Sequence, residues 1–176
     1  MATGLKDAEE QGIANRDIKP ENFLYSEKEQ CYQIADFGEA SEIPPRLVDD
    51  VRGSPVYMPP EMRKAYDAGK WEIPPTDVIN MDLYSVGVSF YELLTGKSFK
   101  LGPSKKDKKR NLVQQRYGKD LIADLKGVDP AKLEKTKSIL TKLLITREYK
   151  SFNDLFKDIG EQKSTTSDTE LIEKHL

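Results

Sequence analysis

From Asp82 to Thr95 the apolar residues Leu83, Val86, Phe90, Leu93 and Leu94 fall at offsets of 0, 3, 7, 10 and 11. That spacing lays them on one face at the 3.6-residue period of an α-helix. Val88 and Tyr91 add apolar character off that face, so the pattern predicts a helix buried nearly all round and stopped by Gly96. The flanks are more polar. Residues 1–11 read as a short helix ending at Gly12 and entered partway along, since amphipathic helices usually run ~10–14 residues. Asn22 to Tyr25 and Cys31 to Ala35 read as two strands of a small hairpin around the polar turn 26–30. Between Asp36 and Pro60 there is little periodicity, and Gly38, Pro44, Pro45, Gly53, Pro55, Pro59 and Pro60 interrupt any regular element. A structureless stretch that long inside a compact domain is usually functional or disordered. Asp129-Pro130 supplies an N-cap and first turn for a helix carrying Leu133, Leu140 and Leu144. Ser151 with Asp154 opens a last helix with Leu155, Phe156 and Ile159. The polar tail from Gln162 is expected to fray.

Composition narrows the class without naming it. The chain has 176 residues, 28 basic against 30 acidic, and only 37% apolar residues, which suits a single domain with a thin core. No apolar run approaches the ~18–20 residues of a membrane span, and no charged-then-apolar leader opens the chain. A lone Cys31 excludes an internal disulfide and a multi-cysteine zinc site, and points to a reducing compartment. A net charge of −2 gives no global argument for a nucleic-acid or membrane partner. It conceals a local excess: Lys97 to Lys119 holds nine Lys or Arg against Asp107 alone. The plain reading is a solvated loop, and the sharper ones are docking of acidic substrates or a nuclear-import patch. Phe99 and Tyr117 are too sparse for a base-stacking platform, which argues against a nucleic-acid partner.

Four strings occur in a fixed order. They are Asn15-Arg16-Asp17-Ile18-Lys19-Pro20-Glu21-Asn22, then Asp36-Phe37-Gly38, then Gly53 to Glu61 (GSPVYMPPE), then Asp82-Leu83-Tyr84-Ser85-Val86-Gly87. In these strings the chain resembles eukaryotic protein kinases, specifically their large C-terminal lobe. Lys19 followed by Pro20-Glu21-Asn22, with the Gly-Ser-Pro string, resembles the serine/threonine type. The fold so implied is mainly α: a C-lobe with a small β-hairpin and a long activation segment, over residues 1–160, followed by a polar tail at 161–176.

The resemblance assigns roles to individual residues. Asp17 stands at the position of the base that accepts the proton of a substrate serine or threonine hydroxyl, and Lys19 at that of the lysine meeting the γ-phosphate. Asn22 and Asp36 match the ligands of Mg²⁺, a hard cation that takes few protein ligands plus phosphate oxygens. ATP and Mg²⁺ are therefore the implied cofactors, and a protein hydroxyl the implied acceptor. Ser54 keeps the hydroxyl that the family uses to contact the catalytic Asp and Lys. Leu24 matches an apolar residue beneath the adenine ring, or else is a plain core position of the hairpin. Phe37 and Gly38 complete the tripeptide. Glu61 matches an acid that pairs with a distal arginine, for which Arg147 and Lys150 compete, and breaking such a pair in a buried setting costs ~3–5 kcal/mol. Asp82 matches the helix aspartate that holds the catalytic loop, or else is an N-cap.

Several positions depart from the family pattern. Asn15 stands where a His is usual, which is expected to loosen packing against Phe37; Tyr84 replaces a Trp and Pro59 an Ala. Arg16 is retained, and the residue it meets when phosphorylated corresponds to Asp50, read either as a permanent carboxylate in the phosphate's place or as a solvated acid. The largest departure is that no Gly-x-Gly occurs in the sequence, so the loop that covers ATP phosphates, and the N-lobe carrying it, are missing from the pattern. The expectation is a serine/threonine kinase segment poorly active by itself, with an N-lobe or a regulatory protein as partner. The alternative is a pseudokinase-like binding or decoy module. Either reading places the chain in the cytoplasm, or in the nucleus if the basic stretch serves import.

Overall fold

The structure is a computed structural model that describes residues 2–43, 52–69, 77–97, 99, 125 and 128–160. It is helix-rich, with two small antiparallel sheets. Helix α1 (Ala2–Glu10) ends at Gly12, whose φ of 74° is the left-handed value a helix stop calls for. Strand β1 (Ile13–Ala14) follows, then a 3₁₀ turn (Pro20–Asn22) and the hairpin β2 (Phe23–Ser26) and β3 (Cys31–Ile34). The hairpin register pairs Phe23 with Ile34 and Tyr25 with Tyr32, within one residue of the sequence expectation. Strand β4 (Ser41–Glu42) pairs with β1, a two-residue bridge too short to leave any periodic trace.

Helix α2 (Pro60–Asp67) was not expected, because Pro59 and Pro60 read as breakers. Pro60 instead occupies the first helical turn, where a missing N–H costs nothing. Helix α3 (Asp77–Thr95) begins five residues before the predicted start, with Val78, Ile79 and Met81 buried. Asp82 is therefore inside the helix and is not an N-cap. At the other end Leu93 and Leu94, predicted to be core, are exposed. Periodicity defines a face, but not how far neighbouring elements extend along it.

Helix α4 (Pro130–Leu144) packs along α3. The approach is close at Gly87, where a Cβ would stand 2.7 Å from Leu144 Cδ2 and 2.9 Å from Leu143 Cβ. Asp129 caps α4 by accepting from the Ala131 amide at 3.0 Å. Helix α5 (Phe152–Ile159) starts at Ser151, whose hydroxyl accepts from the Asp154 amide at 3.1 Å. Its next amide, Phe152 N–H, is taken by Glu9 of α1 at 2.7 Å, a cap from 143 residues away. Burial raises the Glu9 pKa, and this bond opposes the rise. The main core joins Leu5, Phe23, Leu83, Val86, Leu140, Phe152 and Leu155, so α1, α3, α4 and α5 form the base on which the site sits. Among the described residues no helix is long and apolar enough to cross a membrane. Residues 161–176, Asp50 and nearly all of the basic stretch lie outside the described residues.

Candidate functional site

The site is built on one buried carboxylate. Asp82, inside α3, accepts from the backbone amides of Asn15 at 2.7 Å and Arg16 at 2.8 Å. Burial pushes its pKa up to about 7; the two amide bonds and the Arg16 charge pull the other way. These bonds pin the loop in a conformation it would otherwise avoid, since Arg16 sits in left-handed backbone at φ 70°. The Arg16 side chain, assigned to a phosphate-sensing role by resemblance, is itself buried.

The segment at Gly53 and Ser54 docks on this loop through a glycine. Gly53 has φ 98°, and a Cβ there would lie 2.1 Å from the Arg16 carbonyl oxygen, so no other residue fits without moving the backbone. The close approach places the Ser54 amide 2.8 Å from Asp17 Oδ1. Lys19 Nζ donates to the other oxygen of Asp17 at 2.5 Å and lies 3.4 Å from Ser54 Oγ. The Asp17 bond raises the Lys19 pKa, so the ammonium stays charged. Asp17, Lys19 and Ser54 thus meet as the sequence suggested, with one difference: the backbone amide of Ser54 holds the aspartate, and its hydroxyl faces the lysine.

Asn22 is buried, and its Nδ2 donates to the Asp17 carbonyl at 2.9 Å, which leaves Oδ1 as its acceptor. Ala35 N–H bonds Asn22 O at 2.8 Å across the end of the hairpin, which brings Asp36 to the same end of the sheet. Asp36 holds left-handed backbone at φ 61°, and its Oδ1 accepts from Gly38 N–H at 3.1 Å. Leu24 is 56% exposed and Phe37 43%, so Leu24 is not a core position and Phe37 is not packed into the base. Asn15 is fully buried and bonds Asp17 N–H and the Asp36 carbonyl through its side chain. It thereby reaches the backbone next to Phe37.

Arg147, and not Lys150, pairs with Glu61, through two guanidinium–carboxylate contacts, the second at 3.0 Å. The pair is not buried: its side chains are 28% and 56% exposed, so the interaction belongs with surface pairs worth ~0.2–1 kcal/mol. The guanidinium also lies 5.1 Å from the centre of the Tyr84 ring, which serves as its platform where a Trp is usual. Lys150 turns back to the Arg147 carbonyl at 3.3 Å.

One strut had no counterpart in the sequence reading. Tyr57 donates to Glu92 Oε2 at 2.8 Å, and Glu92 Oε1 accepts from the Phe99 amide at 2.7 Å. Ser85 Oγ lies 2.9 Å from the Tyr57 carbonyl, so the segment after Ser54 is fastened to α3 at two points. Burial, then the Glu92 carboxylate, raises the Tyr57 pKa. Tyr57 stood in a recognised string, but nothing local to it or to Glu92 marks a partner 35 residues away.

A carboxylate held by an amide and a lysine, beside an amide oxygen and a second carboxylate on a hairpin end, is an arrangement suited to phosphoryl transfer. The sequence model of the family described as "Protein kinase domain" matches residues 1–164. The chain belongs to the protein kinase family.

Its relatives are protein serine/threonine kinases. It is 41% identical over 101 residues to serine/threonine-protein kinase ULK3 of Rattus norvegicus, 55% of this chain and 19% of the relative. It is 34% identical over 119 residues to serine/threonine-protein kinase ATG1b of Arabidopsis thaliana, 65% of this chain and 15% of the relative. Over 157 residues it is 34% identical to probable serine/threonine-protein kinase HSL1 of Saccharomyces cerevisiae, 81% of this chain and 9% of the relative. The chain therefore spans less than a fifth of the length of these relatives.

Proposed function

We propose that this chain forms the acceptor-facing, C-lobe part of a protein serine/threonine kinase and transfers the γ-phosphate of ATP to hydroxyls of a protein substrate. The observation that carries the reading is the Asp17 carboxylate, fixed from both sides by Ser54 N–H and Lys19 Nζ on a loop that Asp82 pins. In that reading Asp17 orients the acceptor hydroxyl and takes its proton. Lys19 leaves one bond to Asp17 to meet the phosphate, and Leu24 lies under the adenine. The family generally uses ATP with Mg²⁺, and the donor set fits the ion. Among the described residues no three His, Cys, Asp or Glu side chains cluster as a self-sufficient metal site. The Asn22 oxygen and the Asp36 carboxylate fit a hard ion that completes its shell with phosphate and water. Bound there, Mg²⁺ supplies charge neutralisation of the phosphates.

A second reading, a nucleotide-free binding module, is favoured by the exposure of Leu24 and Phe37 on the ATP side. Amide NMR titration of the 176-residue chain separates the two. The kinase reading expects weak, Mg²⁺-dependent shifts at Lys19, Asn22, Leu24 and Asp36 as ATP is raised. An absence of shifts at these four residues, at any ATP concentration tested, supports the binding module and contradicts the kinase reading.

A further inference from the structure

At the site, Arg16 and Asp36 hold left-handed backbone at φ 70° and 61°, a conformation that favours glycine. Each such residue costs of order 1 kcal/mol and persists only where its surroundings over-determine it. For Arg16 the restraint is the Asp82 bond to its amide. For Asp36 one restraint is local, from Gly38 N–H to its own Oδ1. The other comes from 21 residues away: Asn15 Nδ2 donates to the Asp36 carbonyl at 3.0 Å. The same amide accepts from Asp17 N–H through Oδ1 at 3.1 Å, and Asn15 N–H is held by Asp82 at 2.7 Å. The side chain is wholly buried, where an unmade bond costs ~1–3 kcal/mol. Only a side chain presenting an acceptor and a donor from one rigid plane makes both bonds at once.

We propose that Asn15 is the positioning residue that sets the Asp36 turn against the Asp17 loop. Its importance to catalysis rests on the kinase reading of Asp17 and Asp36; the mechanical coupling does not. Through Asn15 a displacement of either segment is transmitted to the other, so the proton-accepting group and the phosphate-side carboxylate keep one relative placement.

Amide hydrogen exchange by NMR on the 176-residue chain tests this. In Asn15→Ala, exchange at Asp17, Gly38 and Ala40 is expected to quicken about tenfold or more, while Val86 and Val88 inside α3 stay within about twofold. Asn15→Asp keeps the acceptor for Asp17 N–H and loses the donor to Asp36. It is expected to leave Asp17 slow while Gly38 and Ala40 quicken. Should Asn15→Ala not fold, Asn15→Asp and the side-chain amide of the unmodified chain carry the test: the Asn15 Nδ2 protons are expected to exchange slowly. Unchanged Gly38 and Ala40 in Asn15→Asp overturn the proposal. So does equal quickening at Val86 and Val88, which marks a merely structural residue. Because exchange is read without ATP, its failure is distinguishable from failure of the kinase reading, which a phosphorylation assay of Asp17→Asn reports.

Discussion

The loop from Asn15 to Asn22 and the face formed by Leu24 and Asp36 to Gly38 adjoin in space, yet they are built on opposite terms. The loop is buried from Asn15 to Ile18 and again at Asn22, and its backbone is held by Asp82, Asn15 and Asn22 through bonds of 2.7–3.1 Å. The adjoining face leaves two apolar side chains, Leu24 and Phe37, open to water. Fixing the first and exposing the second separates two tasks. On the proposed kinase reading, the first holds the proton-accepting carboxylate in place and the second presents the surface that would lie under adenine.

The largest way to break the contrast is at its anchor. Asp82→Ala orphans two buried amides at about 1–3 kcal/mol each, and chemical denaturation is expected to show a loss of that order. The same residue gives the stability a pH signature. Its folded pKa lies near 7, above the ordinary carboxylate value of 3.8, so the fold takes up its proton more readily than the open chain. This group's contribution is therefore full below about pH 4 and is lost as pH rises toward 7. Asp82→Asn is expected to flatten that part of the stability–pH curve; an unaltered slope assigns it to another group.

Next in size is Gly87→Ala, which forces a methyl into Leu143 and Leu144 and is expected to cost about 1–3 kcal/mol by thermal denaturation. Arg147→Lys loses the two-point contact with Glu61 and the Tyr84 platform, but at an exposed site the expected loss is within ~1 kcal/mol. A loss of 3 kcal/mol or more there shows that the pair acts as a buried one. The smallest effect belongs to the open face: Leu24→Ser is expected to change stability by less than ~0.5 kcal/mol while weakening the Mg·ATP-dependent NMR shifts. A large stability loss from it makes Leu24 a core residue after all.

What the sequence disclosed follows from the range of each signal. Cap residues act locally, so Asp129-Pro130 and Ser151 marked α4 and α5 correctly. The hairpin was legible from its polar turn. Helix α2 was hidden by Pro60, the β1–β4 bridge by its brevity, and the exposed Leu93 and Leu94 by a period that says nothing of neighbours. At the site, motif order brought Asp17, Lys19, Asn22 and Asp36 to attention together. The fork made by Asn15, the Tyr57–Glu92 strut and the Glu9 cap on α5 join polar groups on residues 21, 35 and 143 positions apart. Such pairings leave no periodic trace, and only the fold reveals them. The Glu61 partner lay between: the resemblance offered Arg147 and Lys150, and only the fold shows Arg147 reaching Glu61 while Lys150 turns back to the Arg147 carbonyl.

The central claim is that Asp17 serves phosphoryl transfer, and it is tested most directly by incorporation of labelled phosphate from Mg·ATP into serine or threonine of an acceptor protein. The unmodified chain, with Leu24 and Phe37 exposed, is expected to transfer slowly, and Asp17→Asn to lower that rate by ~10²–10⁴-fold, the range of a positioned general base. Transfer at equal rates in the two proteins, or in neither, contradicts the account.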